Sequence, residues 1–214
     1  MTQPEFYYDV YDIQTSFGIS KFVCNNISLG CGLKFLYEKI YDVYGFTVAT
    51  DFGLQYYPEK IKYIGDVKNL TLSLNVNNLG LPVKYVEKYY NLPTTVILGG
   101  SYKQRVGSFY TTVAIDYVLP FYDTGFILSG VEVLLNEYIS VRCGYKISFK
   151  ETHLEEFFPG LSLGTGIDYF GVKLDYSTTS YGILGLTHKV TLSLEIDKLG
   201  KFYKLLREKL FKFR

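Results

Sequence analysis

Polar and apolar residues alternate along the segment between Tyr138 and Ile147. Ile139, Val141 and Ile147 fall on one parity, whereas a serine, an arginine and a lysine fall on the other. Successive side chains of an extended strand point to opposite faces, so this pattern predicts a β-strand with one charged face and one apolar face.

The same alternation recurs along most of the chain, and turn-forming residues separate the repeats. It predicts eleven strands in an antiparallel meander, which is typical of the wall of a β-barrel. The predicted strands lie near residues 11–23, 26–38, 46–57, 66–77, 94–104, 108–119, 126–135, 138–149, 160–169, 172–179 and 186–197.

The predicted connections alternate between short and long. The short ones lie at residues 25, 104–107, 136–138 and 170–171, and the long ones at 39–45, 78–93, 120–125, 150–159 and 180–185. This places short turns at one end of the strands and long loops at the other, as in outer-membrane barrels, and only 58–65 departs from the rule. Strands of about ten residues also suit a bilayer, although soluble barrels and sandwiches give the same alternation with the two faces exchanged.

Two hairpins can be aligned residue by residue. A turn at residues 170–171 pairs Asp168 with Lys173, and a turn at 136–138 pairs Glu132 with Arg142. Opposite charges that face each other across neighbouring strands contribute roughly 0.2–1 kcal/mol each, which supports both registers.

The parity of each strand assigns the candidate functional side chains to two sets. We expect the charged residues of the polar parity to form a crossed-charge network that faces the lumen: Lys34, Asp51, Lys103, Asp116, Glu132, Arg142, Asp168, Lys173 and Asp175. We expect the tyrosines of the apolar parity to form interfacial aromatic girdles: Tyr37, Tyr56, Tyr102, Tyr117, Tyr145, Tyr169 and Tyr176.

Composition supports a β protein and gives no sign of catalysis. The 214 residues include 22 tyrosines, 16 phenylalanines and 20 glycines, which favour strands and tight turns. A net charge of +1 provides no field that would recruit nucleic acid. The three cysteines lack the spacing of a metal site, and we predict no cofactor, no metal and no catalytic residue. His188 is interpreted as a turn residue at the start of the last strand, and His153 as part of a solvated acidic loop with Glu155 and Glu156.

The C-terminal segment changes character. Apolar residues at helical spacing alternate with lysines and arginines over residues 199–214. We predict a short basic amphipathic helix there, separate from a β-barrel domain at 1–198, which either lies on a membrane surface or packs on the barrel.

Several glycine-rich segments resemble the C-terminal strands of PorV/PorQ-like outer-membrane barrels, which are related to the FadL transporters. The most specific block comprises Gly160–Gly166 (GLSLGTG), Val172–Tyr176 (VKLDY), Leu184–His188 (LGLTH) and Thr191–Leu194 (TLSL). Further similar pieces are Asp51–Leu54, Asn78–Gly80, Leu92–Pro93 with Gly99–Tyr102, and Val141–Tyr145.

The resemblance implies a 14-stranded barrel in the outer membrane, made with a signal peptide and an N-terminal plug. Neither is recognisable here, and eleven is an odd number of strands, so we expect the N-terminal part to be missing. The resemblance further implies a non-enzymatic role in transport or secretion, with the lipid bilayer and either secreted protein cargo or an apolar ligand as partners. The alternatives are a soluble β-barrel or sandwich that binds an apolar ligand, and an enzyme, for which the sequence gives no support beyond background.

Overall fold

The protein is built from β-strands. The structure, a computed structural model, describes residues 10–61, 65–66, 69–136, 138–149 and 159–196. Its strands are β1 (Val10–Cys24), β2 (Ile27–Ile40), β3 (Val43–Tyr56), β4 (Lys60–Ile61), β5 (Gly65–Asp66), β6 (Leu70–Gly80), β7 (Val83–Tyr85), β8 (Lys88–Tyr90), β9 (Thr95–Val106), β10 (Phe109–Pro120), β11 (Phe126–Leu135), β12 (Ile139–Ser148), β13 (Leu161–Tyr169), β14 (Val172–Ser180) and β15 (Leu186–Leu194).

Eleven of these strands form one sheet in the order β1-β2-β3-β6-β9-β10-β11-β12-β13-β14-β15. Each of the eleven corresponds to one predicted strand, so the all-β meander predicted from the alternation is confirmed. β4 with β5, and β7 with β8, form two small additional sheets inside the connections before and after β6. A single turn of 3-10 helix, Gly182–Leu184, precedes β15. Within the described ranges, no helix is long and apolar enough to cross a membrane.

The turns at the predicted short connections form as expected. The two-residue turn at Phe170 and Gly171 has both residues at positive φ, 51° and 89°, which matches the twist of the flanking strands. One predicted long connection is wrong: β2 continues to Ile40 and β3 begins at Val43, so the turn is two residues long, with Tyr41 at φ 56°. The two strands stay paired up to this turn, where Ile40 lies opposite Val43.

Contacts divide the chain into two compact units. The first comprises Met1–Gly100 with Asp116–Gly125, and the second comprises Ser101–Ile115 with Phe126–Arg214. The first unit contains a small buried cluster of Ala49, Val83 and Leu92 under the β7–β8 hairpin. In the second unit, the strands from β11 to β15 pair antiparallel with consecutive neighbours.

The apolar parity is the exposed parity. In β12 and β14, exposed apolar residues alternate with less exposed polar residues and glycines, and the same holds for β10 and β13. Val141 is 49% exposed and Leu192 is 65% exposed. Among the described residues, four hydrophobic core side chains are buried: Ala49, Val83, Leu92 and Val118. These strands therefore do not bury their apolar faces against a second layer.

Two parts of the predicted architecture stay predictions. β1 and β15 are the terminal strands of the observed order, so hydrogen bonding among the described residues does not close the sheet into a barrel. The predicted helix at 199–214, and with it the boundary at residue 198, lies outside the described residues.

Candidate functional site

The two predicted hairpin registers bring opposite charges together on the polar face, which we define as the side of the sheet that carries Glu132, Arg142 and Asp175. Glu132 lies directly opposite Arg142 across β11 and β12, and Asp168 lies opposite Lys173 across β13 and β14. The Arg142 Nε atom is 2.6 Å from a carboxylate oxygen of Glu132. Both predicted pairings are confirmed.

Arg142 also reaches past its neighbouring strand. Its Nη1 atom is 2.5 Å from the Asp175 carboxylate, although β13 lies between β12 and β14. The two residues of β13 that lie opposite Arg142 and Asp175 are Gly164 and Gly166, which have no side chain to block this contact. A Cβ at Gly166 would collide with the Asp175 carboxylate and lie 2.7 Å from the Ser140 hydroxyl. The glycines thus allow a Glu132–Arg142–Asp175 cluster that spans four strands.

Lys173 forms a second cluster. Its Nζ atom is 3.6 Å from Asp168 and 2.7 Å from Glu195, which follows β15. Glu195 is absent from the predicted set, although it shares the polar parity of Thr191 and Ser193 and this shared parity is the signal that could have identified it.

Two hollows adjoin the Arg142 cluster on the polar face. One, of about 500 Å³, is lined mainly by small residues: Thr112, Ala114, Gly130, Gly144, Ser162, Gly164 and Ser177. The other, of about 320 Å³, lies on the side of the cluster towards Asp168 and Lys173. Arg142 contributes to both hollows, so its ion pairs stand between them.

The two clusters in the second unit together contain four carboxylates and two cations, so their formal charge is negative. The Arg142 and Lys173 side chains are 43% and 40% exposed, which leaves them partly screened by solvent. Such an arrangement can hold strands in register and present charge to a polar solute. Over the described ranges, no three histidine, cysteine or acidic side chains converge as they would around a metal ion.

A separate cluster in the first unit involves Lys34 and Asp51, whose side chains are 2.7 Å apart. Lys34 also donates to the side-chain oxygen of Asn78 at 2.9 Å, and the Asn78 backbone N–H donates to Asp51 at 2.9 Å. Asn78 has a φ of 58°, and the pairing of β3 with β6 shifts opposite Asp51. The charged pair therefore anchors a β-bulge, and Asn78 is a member of this cluster that the charge pattern alone missed.

The other two predicted polar residues have different neighbours. The ammonium group of Lys103 lies 5.3 Å from the ring centre of Tyr110. The Asp116 carboxylate and the Ser73 hydroxyl lie close above Gly99, and a Cβ at Gly99 would collide with both side chains. Whether the nine predicted charges form one network, and whether they face a lumen, stays a prediction.

The predicted aromatic residues are mostly exposed. Six of the seven belong to the exposed class, and Tyr37 is intermediate. Tyr37 packs against Tyr11 with ring centres 6.1 Å apart, and Tyr169 packs against Tyr138 at 6.2 Å and Phe170 at 4.4 Å. These contacts form short aromatic groups near strand ends, and their position at a membrane interface stays a prediction.

The structure places His188 inside β15 rather than in a turn, so that interpretation is wrong. The Tyr176 hydroxyl is 2.8 Å from His188 Nδ1, and the two rings stack with centres 6.0 Å apart. The alternation explains this contact, because Tyr176 of β14 and His188 of β15 lie on the same, apolar, face of two adjacent strands. His153, Glu155 and Glu156 lie outside the described residues.

No protein-family model matches this sequence, and no curated protein matches it.

Proposed function

We propose that this chain is a non-enzymatic outer-membrane β-barrel protein, or the larger part of one, of the transport or secretion type found in the PorV/PorQ group. The observation that carries the proposal is that the apolar parity is exposed along strand after strand, whereas the ion pairs lie on the opposite face. Hydrocarbon is the solvent that favours such an exposed apolar face.

The distribution of charge supports the same orientation. Among the described residues of the eleven strands, every aspartate and glutamate lies on the polar parity. The basic side chains of the apolar parity are Lys21, Lys39 and His188, and each lies within a few residues of a strand end. Charges at the centre of a bilayer are costly, whereas lysines near its surface extend their ammonium groups to water.

The ends of the strands supply a second argument. Aromatic side chains contact each other beside the short turns, as Tyr169 of the apolar parity does with Phe170 at 4.4 Å. They also do so beside the opposite ends of the strands, as Tyr11 does with Tyr37. Aromatic residues at both ends of an apolar band are typical of transmembrane barrels.

The proposal requires that the terminal strands find partners. An unpaired strand edge does not occur in hydrocarbon, because its N–H and C=O groups would lack hydrogen bonds. In the membrane, β1 and β15 must therefore pair with each other, with further strands or with another chain.

A soluble barrel or sandwich that binds an apolar ligand is the competing hypothesis. Such a protein buries its apolar parity in a packed interior. The exposure of Val141, Leu174 and Leu192 argues against it, since each is about half exposed or more.

Partitioning of the full chain tests the proposal. We expect the chain to aggregate in buffer and to fold as a β-protein in detergent micelles, measured by circular dichroism and by the mobility difference between heated and unheated samples on gels. Leu192→Glu and Ser193→Glu provide a matched pair, because the two residues are adjacent and point to opposite faces. The first should prevent folding in micelles, and the second should be tolerated because Ser193 lies opposite Lys173. A monomeric, fully folded chain in buffer without detergent contradicts the proposal.

A further inference from the structure

The apolar face of the first unit contains a groove next to a lysine. This groove, of about 460 Å³, crosses β1, β2, β3 and β6. We call it the Lys21 groove and define it by Ile19, Lys21, Leu29, Cys31, Phe52 and Leu54. Almost all of its lining is apolar.

The groove forms because one side chain is small. Cys31 lies opposite Ile19 on one side and Phe52 on the other. Its side chain is smaller than either neighbour, so it leaves a depression in an otherwise apolar surface. A second hollow, of about 430 Å³, shares these three residues and extends to Phe17 and Leu33. The combined depression follows β1 from Lys21 to Phe17, roughly 13 Å at the rise of a strand.

Among the described residues that line the groove, Lys21 is the single charged one. The described residues that line the groove include no carboxylate, so no acidic side chain there neutralises the ammonium group. Lys21 lies opposite Leu29. The next residue of the same face towards the short turn is Ile27, which pairs with the aromatic residue Tyr56, so Lys21 lies about two residues from the level of the Tyr56 ring. A lysine stem can cover this distance and bring its ammonium group to the level of the aromatic ring.

We propose that the Lys21 groove binds an anionic phospholipid, with the phosphate at the Lys21 ammonium group and an acyl chain along the depression. This inference rests on the proposed membrane location of the apolar face. Charge complementarity selects the lipid, because the groove combines one unneutralised cation with an apolar channel that begins beside it.

Photocrosslinking tests the site on the full chain in phosphatidylcholine vesicles. The probe is phosphatidylglycerol with a photoactivatable group in its acyl chain, and mass spectrometry maps the labelled residues. We expect labelling to concentrate at Ile19, Leu29 and Phe52, and unlabelled phosphatidylglycerol to compete better than phosphatidylcholine. Lys21→Gln should reduce that preference about fivefold, the contribution of one lysine near an anionic surface.

Two matched controls separate the site from general effects. Lys39→Gln removes a second lysine of the apolar face, whose ammonium group lies 5.7 Å from the Tyr11 ring, and should leave the preference unchanged. Cys31→Phe should abolish labelling in the groove, whereas Cys143→Phe, on the apolar parity of β12, should not.

The outcomes distinguish the two proposals. Even labelling of all strands, equal competition by both lipids, or equal effects of the two lysine variants would overturn the lipid site while leaving the membrane location intact. Absence of labelling on every strand would overturn the membrane location and the lipid site together.

Discussion

Arg142 is the residue on which the polar face of the second unit depends most, because it contacts carboxylates from two different strands. Glu132→Lys should lower the free energy of unfolding by about 1 kcal/mol, because it replaces a partly exposed ion pair with two like charges. Urea titration of the protein in micelles measures the change.

The reciprocal change tests the register. Adding Arg142→Glu to Glu132→Lys restores an opposite pair but sets a new carboxylate beside Asp175. We therefore expect partial recovery in the double variant, and fuller recovery when Asp175→Lys is also introduced. If neither combination recovers stability, the side-chain arrangement described for this cluster is wrong.

At the scale of single residues, the sequence predicts side-chain contacts only between strands that are joined by a short turn. The pairs Glu132–Arg142 and Asp168–Lys173 follow from counting residues back from a turn, because a turn of known length determines which residues lie opposite. The contact between Arg142 and Asp175 skips a strand, and it depends on the absence of side chains at Gly164 and Gly166. Alternation reveals which face these residues share, but it does not show that an arginine extends across a neighbouring strand.

The contact between Arg142 and Asp175 crosses β13, and the two glycines of β13 at this point, Gly164 and Gly166, are not equivalent. Gly166→Ala should lower stability by about 1–3 kcal/mol, the range for an overpacked site, because the new methyl group displaces the Asp175 carboxylate. Gly164→Ala should cost less, since its Cβ would lie 3.6 Å from the Ser177 side chain and 3.3 Å from the nearest backbone oxygen. Urea unfolding of both variants in micelles compares them, and equal losses would show that the close approach at Gly166 is unimportant.

The elements themselves were predictable where the alternation is regular. All eleven strands of the large sheet follow from it, because each strand has one apolar face. The β7–β8 hairpin was not predicted, since its strands are three residues long and too short to show a period. The bulge at Asn78 was also missed, because a bulge shifts the parity and requires knowledge of the partner strand.

At the scale of the whole molecule, the described strands expose their apolar faces, and the nature of their surroundings decides what a charge on such a face costs. β12 provides a depth series, because Ile139, Cys143 and Ile147 lie on the apolar parity at its start, middle and end, and all are exposed. In a bilayer, arginine at the middle should cost about 2–4 kcal/mol, and arginine near either end about 0–1 kcal/mol. In water, an exposed position tolerates arginine with a change within about 0.5 kcal/mol wherever it lies along the strand. We therefore expect Cys143→Arg to be far more destabilising than Ile139→Arg or Ile147→Arg when unfolding from lipid vesicles is measured. A flat profile across the three positions would mean that hydrocarbon does not surround this face.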